Sequence, residues 1–67
     1  MSYNIACPFC GWESYDCLDA YKLEGTRVYR CLCDGCDNEF ELRERGKRYQ
    51  LWDPYYHELL EEGVYGE

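Results

Sequence analysis

Two short segments decide the fold of this chain: Cys7-Pro8-Phe9-Cys10-Gly11 and Cys33-Asp34-Gly35-Cys36. Each contains a Cys-x-x-Cys pair, and we call the segment that begins at Cys7 the first knuckle and the one that begins at Cys33 the second knuckle. The two pairs are separated by 22 residues. Two residues between the cysteines allow a tight turn to direct both thiolates to one point, so each pair supplies two corners of a tetrahedron. Soft thiolate ligands favour zinc or iron, and we predict one zinc ion, with iron as the less favoured metal. The predicted ligands are Cys7, Cys10, Cys33 and Cys36.

Two further cysteines and the single histidine fall outside these pairs. Cys31 precedes Cys33 by two residues, so on a strand both side chains point to the same face, and Cys31 is a less favoured ligand. Cys17 stands alone and is predicted to be a small core residue, with a reactive thiol as the alternative. His57 falls on a predicted helix, where we expect it to be a surface or packing residue rather than a ligand.

A chain of 67 residues is expected to form a single domain over 1–67. Its core alone is a marginal source of stability, so we expect a bound metal ion or disulfide bonds to stabilise the fold. We find no charged and apolar leader after Met1 and no apolar run near the ~20 residues of a membrane span. We therefore expect a cytoplasmic protein with no membrane partner, because a reducing compartment favours metal ligation over disulfides.

The middle of the chain has the alternating pattern of antiparallel strands. Expected strands cover residues 2–6, 12–16, 28–32, 39–43 and 48–52, with turns at 24–27 and 44–47. Residues 18–23 are ambiguous between a helical turn and an extended segment. In the hairpin formed by strands 39–43 and 48–52, alternation predicts four inward side chains, which are Phe40, Leu42, Tyr49 and Leu51.

At Asp53-Pro54 the hydrophobic pattern changes from the alternation of a strand to the spacing of a helix. This change predicts the start of a C-terminal helix over about 54–62. Asp53 is a favourable N-cap, and Pro54 is a favourable first helical residue. Four apolar side chains then share one helical face, namely Tyr55, Tyr56, Leu59 and Leu60. Gly63 is placed to end the helix.

The pattern over residues 3–52 resembles the zinc-ribbon family. The segment from Cys33 to Phe40 is similar to the second knuckle of transcription-type ribbons, in which a buried aromatic follows the last ligand. The segment Cys7-Pro8-Phe9-Cys10-Gly11 resembles the opening of small bacterial and phage proteins of the restriction-alleviation (Lar-like) type. The resemblance implies antiparallel β-hairpins with two knuckles, so the expected fold is a zinc ribbon plus a short C-terminal α-helix.

The first knuckle is also similar to those of rubredoxins, which are small acidic proteins that bind one iron through two Cys-x-x-Cys-Gly knuckles. The second knuckle departs from that pattern, because Asp37 stands where the family has glycine and the spacing is shorter. This resemblance implies an iron electron carrier as an alternative function.

Charge and composition narrow the function classes. Four cysteines close a zinc site to substrate, and no Ser/His/Asp set surrounds the single histidine, so we do not expect an enzyme. The net charge is −7, and residues 49–67 carry five acids and no base, which disfavours general nucleic-acid binding. Twelve aromatics exceed what so small a core can hold, and aromatics are enriched in interface cores.

We therefore expect a small zinc-binding regulatory or adaptor protein that presents its ribbon and an acidic, aromatic helix to a protein partner. A phage-type modulator of transcription or DNA-processing machinery is one version of this hypothesis. Direct nucleic-acid binding through the 43–48 loop, which has four bases in six residues, is the alternative. The candidate partner-binding residues are Arg43, Arg45, Lys47, Arg48, Tyr55, Tyr56 and Leu59.

Overall fold

The computed structural model describes residues 5–65, which form a single antiparallel β-sheet. Five strands follow one another across the sheet in chain order. They are β1 (Tyr15–Leu23), β2 (Thr26–Cys33), β3 (Glu39–Arg45), β4 (Arg48–Asp53) and β5 (Glu58–Val64). Within this range no helix is long and apolar enough to cross a membrane.

Two tight turns set the register of the first four strands. The β1–β2 turn consists of Glu24 and Gly25, which both have positive φ (50° and 82°), as a type I′ turn requires. The β3–β4 turn begins with Gly46, whose φ is 62°. Such two-residue turns match the twist of the flanking strands, so Leu23 pairs with Thr26 and Arg45 pairs with Arg48.

One face of the sheet carries the hydrophobic core. Phe40 and Leu51 are fully buried and Leu42 is nearly so, which confirms that these three side chains point inward. Tyr49 packs against the same cluster but is only half-buried. The segment before β1 covers this face, since Ile5 and Cys7 are buried in the same cluster.

The N-terminal strand predictions are partly wrong. Of the predicted strand 2–6, residues 2–4 lie outside the described residues, and residues 5 and 6 are not in a strand. The predicted strand 12–16 begins only at Tyr15, because the preceding residues pack on the second knuckle instead. The ambiguous segment 18–23 is extended, as part of β1.

The predicted helix over 54–62 is wrong, and with it the expected fold of a ribbon plus a C-terminal helix. Residues 54–57 form a turn, and residues 58–64 form β5 on the outer edge of the sheet. Asp53 does act as a cap, because its Oδ1 accepts hydrogen bonds from the amides of Tyr55 and Tyr56 at 2.8 and 3.2 Å. The His57 amide closes one helical turn onto the Asp53 carbonyl at 2.8 Å. His57 then adopts φ 54°, which reverses the chain and starts β5.

Sheet pairing is the physical reason for this outcome. An isolated helix of about nine residues is marginal, whereas β5 completes a hydrogen-bonded ladder along β4. Gly63 does not end a helix but lies beneath the Tyr49 ring, where a Cβ atom would come within 2.6 Å of Tyr49 Cζ.

We expect the substitution His57→Gly to raise the free energy of unfolding by about 0.5–1 kcal/mol. A left-handed conformation costs a non-glycine residue ~1–2 kcal/mol, and the greater freedom of glycine in the unfolded chain offsets part of that gain. Urea denaturation of the metal-loaded protein measures the change. In a helix the same substitution lowers stability, so a lower free energy of unfolding would contradict the observed turn.

Candidate metal centre

The first knuckle is a tight loop held by its own backbone. The Cys7 amide donates to the Trp12 carbonyl at 2.8 Å, and the Gly11 amide donates to the Cys7 carbonyl at 2.8 Å. Gly11 has φ 81°, a conformation that glycine adopts without strain. The Phe9 amide points at Cys7 Sγ at 3.4 Å. The loop therefore places Cys7 and Cys10 at fixed positions and supplies an amide donor to a sulfur.

The second knuckle repeats this backbone position by position. The Cys33 amide donates to the Asn38 carbonyl at 3.0 Å, and the Asp37 amide donates to the Cys33 carbonyl at 3.1 Å. The Gly35 amide points at Cys33 Sγ at 3.2 Å, and Asn38 Nδ2 donates to Cys36 Sγ at 3.2 Å. Asp37 has φ 58° and occupies the position that glycine holds in the first knuckle. Aspartate is among the few residues that tolerate this conformation, so replacing glycine there does not distort the knuckle.

The two knuckles bring four thiols together, and we call this group the four-cysteine cluster. Its members are Cys7, Cys10, Cys33 and Cys36, whose Sγ atoms all lie within 4.8 Å of one another. The Cys7–Cys36 and Cys10–Cys33 sulfur pairs are each 3.6 Å apart. A tetrahedron with ~2.3 Å metal–sulfur bonds has edges of ~3.8 Å, whereas a disulfide needs ~2.05 Å. The arrangement fits one four-coordinate metal ion, and these four residues could hold it.

The thiols of the cluster differ in how readily they ionise. The backbone amide of Asn38 is the main reason that the pKa of Cys36 falls to about 7. At Cys10 the Trp12 amide lowers the pKa, but desolvation and the neighbouring thiols outweigh it and raise the pKa to about 12. Burial raises the pKa of Cys7. Four thiolates this close repel one another, so a bound cation is needed for all four to be ionised together.

The remaining predicted candidates lie outside the cluster. Cys31 is fully buried on β2 opposite Phe40, and burial raises its pKa to about 12, so it remains a thiol. Cys17 is exposed on β1, which makes the prediction of a core residue wrong. His57 is exposed in the β4–β5 loop.

A contact that the sequence reasoning missed joins the two knuckles. The Trp12 side chain lies directly over Gly35, where a Cβ atom would come within 2.8 Å of Trp12 Cγ. Beside it, Ser14 Oγ donates to Asp34 Oδ2 at 2.8 Å, and the Asp34 amide donates to the Ser14 carbonyl at 3.1 Å. Gly35 therefore serves close packing as well as the turn. The only sequence signal for this contact is a tryptophan directly after the first knuckle.

The seven predicted partner-binding residues do not form one surface. Arg43, Arg45 and Arg48 share one face of the sheet near the β3–β4 turn, which contains Lys47. Tyr55 and Tyr56 lie in the β4–β5 loop, at the other end of β4, and Leu59 follows on β5. The structure separates the basic group from the aromatic group by the length of a strand.

Comparisons with protein families, curated proteins and solved structures found no match to this chain. The four-cysteine cluster is consistent with a zinc-ribbon-like site, without a family match to confirm it.

Proposed function

We propose that the four-cysteine cluster holds one structural Zn²⁺ and that the protein is a small binding module for another protein. The observation that carries this proposal is the set of four thiols within 4.8 Å of one another, which supplies every ligand of a tetrahedral site. Such a site has no open position for water or substrate. The role left to the metal is to hold the knuckles together beside a small hydrophobic cluster, which has seven buried members among residues 5–65.

The partner surface in this proposal is the end of the sheet that carries the cluster, which we call the knuckle end. β2 ends there, β3 begins there, and the antiparallel order brings the β4–β5 loop to the same end. Within residues 5–65, four aromatic side chains are exposed on it: Phe9 (42%), Trp12 (54%), Tyr55 (65%) and Tyr56 (81%). Large aromatics supply most of the contact energy in protein interfaces, so this concentration supports a protein partner.

Charge supports the same kind of partner. The chain has a net charge of −7, and three of the seven residues of the edge strand β5 are glutamates. An acidic protein associates faster with a basic protein surface than with a nucleic-acid backbone, which it repels. Regulation of transcription or DNA-processing enzymes is one version of the proposal, because those enzymes present basic surfaces.

Metal analysis of untagged protein purified without chelators tests the first half of the proposal. We expect one zinc per chain and a colourless solution. One iron per chain and a red colour would instead support an electron carrier. Both knuckles supply amide donors to sulfur, which is the arrangement that tunes such iron sites.

Photo-crosslinking tests the second half of the proposal, that the protein binds another protein through the knuckle end. A photoreactive phenylalanine analogue at Tyr56 is expected to capture one discrete protein in the native cells, and capture should be lost when Tyr55→Ser, a change at a 65% exposed neighbour, is added. The same analogue at Tyr21, exposed by 52% on β1 near the opposite end, is the matched control and should not capture that protein. Nuclease-sensitive adducts at Tyr56 would favour direct nucleic-acid binding, and equal capture at both positions would contradict the proposed surface.

A further inference from the structure

Three arginines line one cavity at the end of the sheet opposite the knuckles. Arg43 and Arg45 are two residues apart on β3, so they point to the same face, and Arg48 on β4 pairs directly with Arg45. The cavity has a volume of about 510 Å³ and is open to solvent on this face. We call it the arginine cavity. It lies about one strand length from the four-cysteine cluster and plays no part in the function proposed above.

The charges of the three arginines are not equally compensated. Arg43 forms an ion pair with Glu41 at 2.5 Å, and its guanidinium carbon lies 4.8 Å from the centre of the Trp52 ring. Arg45 and Arg48 have no ion-pair partner among the described residues. Arg45 and Arg48 lie directly opposite each other on neighbouring strands, where like charges are destabilising. Two unpaired positive charges therefore face each other in a protein of strongly negative net charge.

The rest of the lining suits an anion of limited size. Gln50 accepts a hydrogen bond from Trp52 Nε1 at 3.1 Å through Oε1, which leaves its NH₂ group as a donor beside the arginines. Thr26 adds a hydroxyl group. Glu62 is the one acidic side chain lining the cavity within residues 5–65. It lies on β5 opposite Gln50, and its negative charge repels any part of an anion that extends towards β5.

We propose that the arginine cavity binds a phosphate monoester group. A phosphate monoester carries nearly two negative charges at neutral pH, which matches the two unpaired guanidinium groups. Guanidinium groups bind phosphate oxygens in bidentate fashion and keep their charge at all physiological pH values. A long polyanion such as a nucleic acid fits less well, because its remaining phosphates would meet Glu62 and the acidic remainder of the surface.

NMR titration of the metal-loaded full chain with O-phosphoserine tests the proposal, with serine and sodium sulfate as ligand controls. We expect saturable shifts of the Arg45 and Arg48 Nε–H signals, and at least a tenfold loss of affinity in the double variant Arg45→Gln/Arg48→Gln. The double variant Lys22→Gln/Lys47→Gln removes the same two positive charges from exposed residues that do not line the cavity, and it should weaken binding less than twofold. Both arginines are exposed, so the variants are expected to fold, and an unchanged thermal melt checks this.

The outcomes separate the proposal from its rivals. No saturable shift, equal binding of sulfate, or equal weakening by Lys22→Gln/Lys47→Gln would overturn it in favour of weak general anion attraction. Tighter binding of a short RNA or DNA through the same arginines would also overturn it. If a phosphoserine peptide binds at least tenfold more tightly than free phosphoserine, the source is a phosphorylated protein. Equal affinities indicate a free phosphorylated small molecule, and both of these results support the phosphate site.

Discussion

The substitution Cys36→Ser is expected to abolish metal binding and to unfold the protein. Cys36 has the most readily ionised thiol of those whose pKa is shifted in the four-cysteine cluster, and it belongs to the knuckle that connects β2 with β3. A serine hydroxyl is a poor substitute for a thiolate ligand. Structural zinc contributes about 10–16 kcal/mol to the folding of small zinc domains, which matches or exceeds the total stability of ~5–15 kcal/mol of a typical domain.

Metal content per chain and the thermal melt followed by circular dichroism measure this effect. Cys17→Ser is the matched control, because it makes the same chemical change at an exposed position on β1. Surface substitutions of this kind usually change stability by less than ~0.5 kcal/mol, so this variant should keep one metal ion and a cooperative melt. A Cys36→Ser protein with full metal content and a cooperative melt would show that the ligand assignment is wrong.

Lowering the pH from 7 to 5 is expected to weaken binding of the proposed zinc ion by at least ~10⁴-fold. The pKa values of Cys7 and Cys10 are raised, to about 12 for Cys10, so both are protonated at pH 7 when no metal is bound. Both must lose a proton to bind the metal, and each proton released changes the affinity ~10-fold per pH unit. Cys36, with a pKa of about 7, adds a third proton as the pH falls below 7. The slope should therefore approach ~1,000-fold per unit.

Competition with a chromophoric chelator at several pH values, corrected for the chelator's own protonation, measures the slope. Because the metal binds the folded protein, the near-UV circular dichroism signal should be lost over the same range as the affinity. Cys17→Ser should leave the slope unchanged, since Cys17 lies outside the cluster. A slope of tenfold or less per pH unit would mean that fewer thiols take part than proposed.

Much of the candidate metal centre could be predicted from spacing alone. Two residues between cysteines are typical of a turn that directs both thiols to one point, so the spacing grouped the four cysteines that the structure brings within 4.8 Å of one another. The inward positions of Phe40, Leu42 and Leu51 were also accessible, because alternation along a strand is a local property and the turn at Gly46 fixes the register. The contact of Trp12 with Gly35 was not accessible, because it joins segments that are distant in the chain.

The sequence by itself determined the two knuckles, the β3–β4 hairpin and the apolar face beneath the cluster, since each depends on hydrogen bonds and side-chain directions within a few residues. Tertiary structure decided the conformation after Asp53. The Asp53 side chain caps a single helical turn, and His57 then reverses the chain. It also decided that the basic and aromatic groups lie at opposite ends of β4. The physical reason is that a β-strand has no hydrogen-bond partners of its own: residues 58–64 become β5 because β4 offers an unpaired edge.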